Sequence, residues 1–243
     1  MINVLIPSGG KSLFFKDSYF PKQMIEVDGR TMLEQVVNNY KGLLDCHFIF
    51  VFDHKDCVEF HLDESARILT EPNTDILVLD NETAGALCTC LMAVSQIGND
   101  DPLFIVNCDQ IIDVDYNEVL KYFQEMNAAA GAITFESIHP RWSYARVKDG
   151  EVNEVAEKRP LSKHAIAGFY YFEHGKDFIE AAKKVILKDN NYKGKYYISA
   201  SLNEIILNGK KVGYYEVDRN SYHSFYSPEK IKEYERQRRE NSR

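Results

Sequence analysis

The sequence predicts an α/β protein with a mixed, mainly parallel sheet flanked by helices, and three observations predict it. Short apolar runs such as 3–7, 47–52 and 103–107 alternate with segments of helical period. The texture changes to successive strands between 131 and 172, where Lys148-Asp149-Gly150 supplies an Asp-Gly hairpin turn. No apolar run approaches the roughly eighteen residues of a membrane span.

The elements follow in order. Asn3 to Pro7 reads as a buried strand, Thr31 to Lys41 as a helix, and His47 to Phe52 and Asp75 to Leu79 as further strands. A helix starting near Thr83 is expected to place Leu87, Leu91 and Val94 on one apolar face. Leu103 to Asn107 is apolar until it reaches a polar turn, which predicts a central strand. A helix at Tyr116 to Met126 precedes strands at 131–136, 144–147, 152–156 and 165–172. Helices at 176–187 and 198–207, a strand at 212–217 and a helix from Pro228 complete the chain. The 243 residues read as one domain, with a nucleotide-binding half (1–127) and an acceptor-binding half (128–243).

Composition narrows the function classes. A net charge of −8 disfavours a broad nucleic-acid surface, which needs clustered Lys and Arg to neutralise phosphates. Five cysteines without a Cys-x-x-Cys pair predict free thiols. The first strand begins at Ile2, which leaves no room for a secretory leader; the expectation is a soluble cytoplasmic protein with no membrane partner. Nothing in the sequence encodes an oligomeric state, and homo-oligomerisation stays open.

Four segments carry candidate chemistry. Ser8-Gly9-Gly10-Lys11 follows the first strand, where glycines let successive N–H groups cradle a phosphate or a base edge; its spacing is neither a P-loop nor a dinucleotide fingerprint, and a simple tight turn is the competing reading. Lys22, after Pro21, is either a surface lysine or the fixed positive charge that phosphoryl-type transfer requires. Asp109 stands at the end of the central strand, where open α/β sheets bind ligands, and there it suits Mg²⁺ held between triphosphate oxygens; the alternative role, helix capping, falls better on Asp113 and Asp115. Glu157-Lys158 follows a strand and faces the strand containing Gly168; by itself it reads as a solvated ion pair.

Taken in order, these segments resemble the sugar nucleotidyltransferase (nucleoside-diphosphate-sugar pyrophosphorylase) family, whose fold is Rossmann-like and GT-A-like. The resemblance rests on the glycine loop, Pro21-Lys22 with Val27-Asp28-Gly29, Glu82-Thr83-Ala84-Gly85, Cys108-Asp109, Glu157-Lys158, Ala167-Gly168-Phe169-Tyr170 and Ser227-Pro228-Glu229. Trp142-Ser143-Tyr144, Ser162 and Tyr196-Tyr197-Ile198 are similar to a subgroup associated with capsule and surface polysaccharide. The resemblance implies that Ser8, Gly9, Gly10, Glu82, Thr83 and Gly85 meet the nucleotide. Lys22, with Lys11, would act on the triphosphate, Asp109 on Mg²⁺, and Lys158, Glu157 and Gly168 on a phosphorylated acceptor. Arg141, Trp142, Tyr144 and Tyr196 are candidates for the acceptor pocket, and cytidine is the base favoured by the subgroup. The implied reaction is attack by an acceptor phosphate oxygen on the α-phosphorus of a nucleoside triphosphate.

Two positions depart from the pattern. Phe14 stands where the family's opening loop has an arginine, leaving Lys11 or Lys16 to supply that charge, and Ser224 stands where many relatives place a second metal aspartate. These departures keep open a non-catalytic, nucleotide-binding regulatory paralogue. A nucleotide-sugar-dependent glycosyltransferase is the weaker alternative, because Asp109-Gln110-Ile111 lacks the second carboxylate of an Asp-x-Asp pair.

Overall fold

The computed structural model describes residues 1–10, 14, 15, 17–98 and 100–241. The chain runs β1 (Ile2–Pro7), β2 (Glu26–Val27), β3 (Arg30–Thr31), α1 (Met32–Tyr40), β4 (Cys46–Asp53), α2 (His54–Phe60), α3 (Leu62–Thr70), β5 (Thr74–Leu79), α4 (Ala86–Met92), β6 (Leu103–Val106), β7 (Gln110–Ile112) and α5 (Tyr116–Glu125). It continues through β8 (Ala130–Glu136), β9 (Ser143–Lys148), β10 (Glu151–Glu157), β11 (His164–Phe172), α6 (Gly175–Leu187), α7 (Ser199–Leu207), β12 (Val212–Val217), β13 (Tyr222–Ser224) and α8 (Pro228–Asn241).

A nine-stranded sheet forms the centre, in the order β10-β9-β11-β6-β1-β4-β5, with β8 on the other edge of β11 and β12 beyond it. Strands β6, β1, β4 and β5 are mutually parallel, while β11 meets β6, β8 and β9 in antiparallel register. The central position expected for β6 is therefore met. Strand β11 is shared: His164 and Ala165 pair with β9, whereas Phe169 to Phe172 pair with β6. Its register against β8 shifts between Ile166 and Tyr170, around Gly168, whose φ is +63°.

Side-chain alternation sorts the core into two layers. Ile2, Val4 and Ile6, Phe48, Phe50 and Phe52, Phe104, and Phe169 and Tyr171 face one side, where α1 and α5 add Val36, Val37, Tyr40, Val119 and Phe123. Leu5, Ile49, Val51, Leu103, Ile105, Tyr170 and Phe172 face the other, under α4, α6 and α7. Each fully buried side chain of this size contributes about 1.5–3 kcal/mol of transfer free energy. Helix starts carry their caps: Thr31 Oγ1 accepts from Glu34 N at 3.2 Å, and Asp115 Oδ1 accepts from Asn117 N at 2.8 Å. The Asp-Gly hairpin has φ of +53° at Asp149 and +82° at Gly150, as a type I′ turn requires.

One helical face differs from expectation. Helix α4 ends at Met92, and it is Leu87, Cys90, Ala93 and Ile97 that are buried, while Val94 is exposed. Cys90 and Ala93 are small enough to let the helix lie close on the sheet, and the bulkier Val94 turns outward.

Candidate active site

The site lies at the carboxyl ends of β1 and β6. Strand β1 delivers Ser8, whose N–H donates to Val51 O at 2.8 Å and whose carbonyl accepts from the buried Gln23 Nε2 at 2.8 Å. Gln23 thereby ties the glycine turn to the short 3-10 turn Lys22–Met24. Gly9 and Gly10 join Lys22, Asp53 and Phe60 around a pocket of about 260 Å³. The Ser8 hydroxyl is buried without a hydrogen-bond partner among the described residues. Lys11 and Lys16 lie outside the described residues.

Lys22 Nζ donates to Asp109 Oδ2 at 3.1 Å, across 87 positions of sequence, and the Lys22 side chain retains 15% exposure. Burial works against the ammonium charge, but the Asp109 carboxylate and the Cys108 side chain hold Lys22 above the ordinary lysine range. A fixed cation thus sits beside a carboxylate at the end of the central strand. Asp109 O also accepts from Phe225 N at 2.7 Å, and β7 pairs with β13 so that Gln110 faces Ser224. The residue that would carry a second carboxylate is therefore on the ribbon beside Asp109, and it offers a hydroxyl. Among the described residues no cluster of three or more His, Cys, Asp or Glu side chains forms a ready-made metal cage. The single Asp109 carboxylate nevertheless suits Mg²⁺, which takes much of its shell from substrate phosphates and water.

The turn at Glu82 to Gly85 meets the glycine loop through α4. Thr83 Oγ1 shares a 2.7 Å hydrogen bond with Thr89 Oγ1, and a Cβ added at Gly9 would lie 3.9 Å from Thr89 Cγ2. Gly85 has φ +118°, and a Cβ there would come within 2.5 Å of Tyr196 O and 2.7 Å of Tyr196 N. Tyr196 accordingly acts here through its backbone, its N–H donating to Ala84 O at 2.7 Å, while its hydroxyl donates to Asp189 at 2.7 Å. Glu82 is exposed at the head of the turn.

Glu157 and Lys158 line a second pocket, of about 380 Å³, with Tyr192, Tyr197 and Asn203. Lys158 has φ +52°, its Nζ donates to Tyr197 OH at 2.8 Å, and the ammonium lies 5.2 Å from the Tyr192 ring and 4.9 Å from the Tyr197 ring. Burial pushes the Glu157 carboxyl above the ordinary carboxylate range, against hydrogen bonds from Ser143 and Ser199 that favour its charge. These contacts replace the solvated ion pair that the residues suggest in isolation. Gly168 stands between the two regions: its carbonyl accepts from Asn107 N at 3.1 Å. Tyr144 is fully buried with its hydroxyl donating to His139 O at 2.6 Å, so it holds β9 from within the core. Arg141 and Trp142 line a different cavity from Lys158.

Phe14 packs edge-on to Tyr226, ring centroids 5.4 Å apart. Gln23 and Gln110 were absent from the sequence-based candidates. Both are buried polar residues adjoining Lys22 and Asp109, and adjacency was the only signal for them.

A lysine–carboxylate pair thus lies at the strand ends of an open α/β sheet, flanked by glycine turns, where proteins of this class bind ligands. Residues 17–222 match the Nucleotidyl transferase family, and the chain belongs to it. It is 26% identical over 232 residues to the Bifunctional protein GlmU of Lactobacillus helveticus (strain DPC 4571), covering 88% of this chain and 46% of that protein. The chain thus spans about half the length of the curated relatives it matches. Its fold is similar to that of the nucleoside-diphosphate-sugar pyrophosphorylase from Vibrio cholerae RC9 (TM-score 0.82, 23% identity, 96% of this chain and 100% of that one). It is also similar to a UDP-glucose pyrophosphorylase complexed with UDP-glucose (TM-score 0.79, 16% identity, 99% of this chain and 100% of that one). No helix among the described residues is long and apolar enough to cross a membrane.

Proposed function

We propose that this protein transfers a nucleotidyl group from a nucleoside triphosphate to a sugar phosphate or similar phosphorylated small molecule. The observation that carries this reading is the Lys22–Asp109 pair at the end of β6, 3.1 Å apart, with Lys22 lining the pocket that holds Gly9 and Gly10. In the reaction an acceptor phosphate oxygen forms the new bond to the α-phosphorus, the bond from that phosphorus to the bridging oxygen breaks, and pyrophosphate leaves. No protein nucleophile takes part. Asp109 would hold Mg²⁺, whose charge, when bound, offsets that of the phosphates. Lys22 stays protonated at neutral pH and presents positive charge where the leaving pyrophosphate gathers negative charge. The N–H groups of the Gly9-Gly10 turn cradle phosphate oxygens, and the Thr83–Gly85 turn meets the nucleoside. Lys158 meets the acceptor. The domain reading, one unit with nucleotide and acceptor halves, belongs to this proposal, as do cytidine as the base, a cytoplasmic location and a role in surface polysaccharide.

The test is pyrophosphate release from each common triphosphate with a panel of sugar and non-sugar phosphates and Mg²⁺. Asp109→Asn and Lys22→Ala are each expected to lower kcat by about 10²–10³, the cost of removing one transition-state electrostatic contact, with melting temperature little changed. Full activity in both variants would remove the site assignment. One observation favours a second reading, nucleotide binding without turnover: Ser224 supplies no charge beside Asp109. Saturable triphosphate binding with no pyrophosphate release from any acceptor would select it.

A further inference from the structure

A cavity of about 430 Å³ lies between the β8–β9 connection, β13 and α8; it shares Ser224 with the candidate active site, but Lys22, Asp109 and Lys158 do not line it. Its basic side chains are disposed unequally. Lys230 is paired with Glu233, and His223 Nε2 lies 2.9 Å from Asp113 Oδ2. Arg141 and Arg219 have no carboxylate within ion-pair distance among the described residues. The Arg141 guanidinium lies 3.3 Å over the Tyr226 ring and 4.9 Å from the Trp142 ring. Arg219 lies 5.0 Å over the Phe135 ring, and its Nη1 donates to Tyr222 O at 3.0 Å. In a chain of net charge −8, with acids outnumbering bases by 37 to 29, two guanidinium groups in one cavity with no carboxylate at ion-pair distance among the described residues are unexpected from composition.

Stacking against aromatic rings fixes the plane of a guanidinium while its N–H edge keeps its donors. Two such edges in one cavity match the geometry of a tetrahedral or planar oxyanion, which accepts paired hydrogen bonds. Glu233 is the acidic side chain in the wall; Lys230 is its ion-pair partner, and the Arg219 charge reaches it more weakly. Tyr222 joins this cavity to the Asp109 site: its ring lines the wall and its hydroxyl donates to Gln110 Oε1 at 3.2 Å.

We infer that this cavity is a second anion site, which binds a phosphate-type dianion through Arg141 and Arg219. The dianion comes either from a separate phosphorylated ligand or from the far end of the acceptor. The inference stands apart from turnover, because Trp142 is the chain's single tryptophan and lies in the wall.

The experiment titrates the full chain with inorganic phosphate while following Trp142 emission. A saturable change is expected in the wild type. Arg141→Gln and Arg219→Gln should weaken it about tenfold or more, the loss of charged hydrogen bonds. Arg141→Lys should retain an intermediate response, and Lys22→Ala should retain it in full. Thermal melting shows which variants are folded. No saturable change at millimolar phosphate would overturn the inference, and so would a change lost in Lys22→Ala but kept in Arg141→Gln. Kinetics at rising phosphate separate the two sources: competition with the acceptor identifies the acceptor's own second anion, and an effect at saturating acceptor identifies a separate ligand.

Discussion

Replacing Gly168 by alanine tests how the sheet positions Asp109. The φ of +63° places this residue in the left-handed region, where an alanine costs about 1–2 kcal/mol. The added Cβ would overlap Asn107 Nδ2 and come to 2.5 Å from Gln110 Oε1. Neither side chain is free to retreat. Gln110 Nε2 donates to Ala167 O, and Gln110 Oε1 accepts from Tyr222 OH at 3.2 Å; losing either bond costs about 1 kcal/mol. Together these contributions give roughly 2–4 kcal/mol, which for a domain of this size lowers the melting temperature by about 5–15 °C. Asn107 and Gln110 bracket Asp109, so kcat should fall more than stability alone accounts for, measured well below the variant's melting temperature. Calorimetry and pyrophosphate release read the two effects separately. Stability within about 0.5 kcal/mol of wild type, or an unchanged kcat, would refute the claim that Gly168 makes room for this segment.

Three further outcomes are expected. Gly85→Ala should destabilise by about 3 kcal/mol and weaken triphosphate binding, because its Cβ meets the backbone of Tyr196 and not a movable side chain; denaturant unfolding and thermal shift with triphosphate would show both. Burial raises the Glu157 pKa, so its stabilising contribution is complete below the unfolded carboxylate value of about 4.3 and is lost as pH rises through the higher folded value. Glu157→Gln should flatten the fall of melting temperature with pH between those two values. The five cysteines are free, Cys90 is fully buried, and burial pushes the Cys57 thiol up to about 11. A thiol reagent at pH 8 should react slowly with the native protein and with all five groups in denaturant.

Much of the fold was legible because β1, β4, β6 and β11 are long enough and apolar enough to announce themselves, and because Asp149-Gly150 can hardly be anything but a tight hairpin. Helices α2 and α3 were not assigned from the sequence: between His54 and Thr70 only Cys57, Leu62, Ala66 and Thr70 are buried, too sparse a stripe to register. Strands β7 and β13, three residues each, exist through pairing with one another, and no local pattern encodes that. Lys22 and Asp109 were each readable as candidates, but their contact spans 87 positions and was implied only by the order of several motifs. Arg219 carried no signal at all, since a lone arginine after a strand reads as surface until its aromatic neighbours are seen.

The forked strand β11 bears on how this chain can be divided. Phe169 to Phe172 lie along β6, so a fragment stopping at residue 127 would leave that edge of β6 bare, with a row of N–H and C=O groups seeking another chain. The complementary fragment would hold a matching unpaired edge on β11. Expressed apart, the pieces are prone to aggregate; expressed together, each carries the template that lets the other knit, which makes this seam a natural place to build a split reporter.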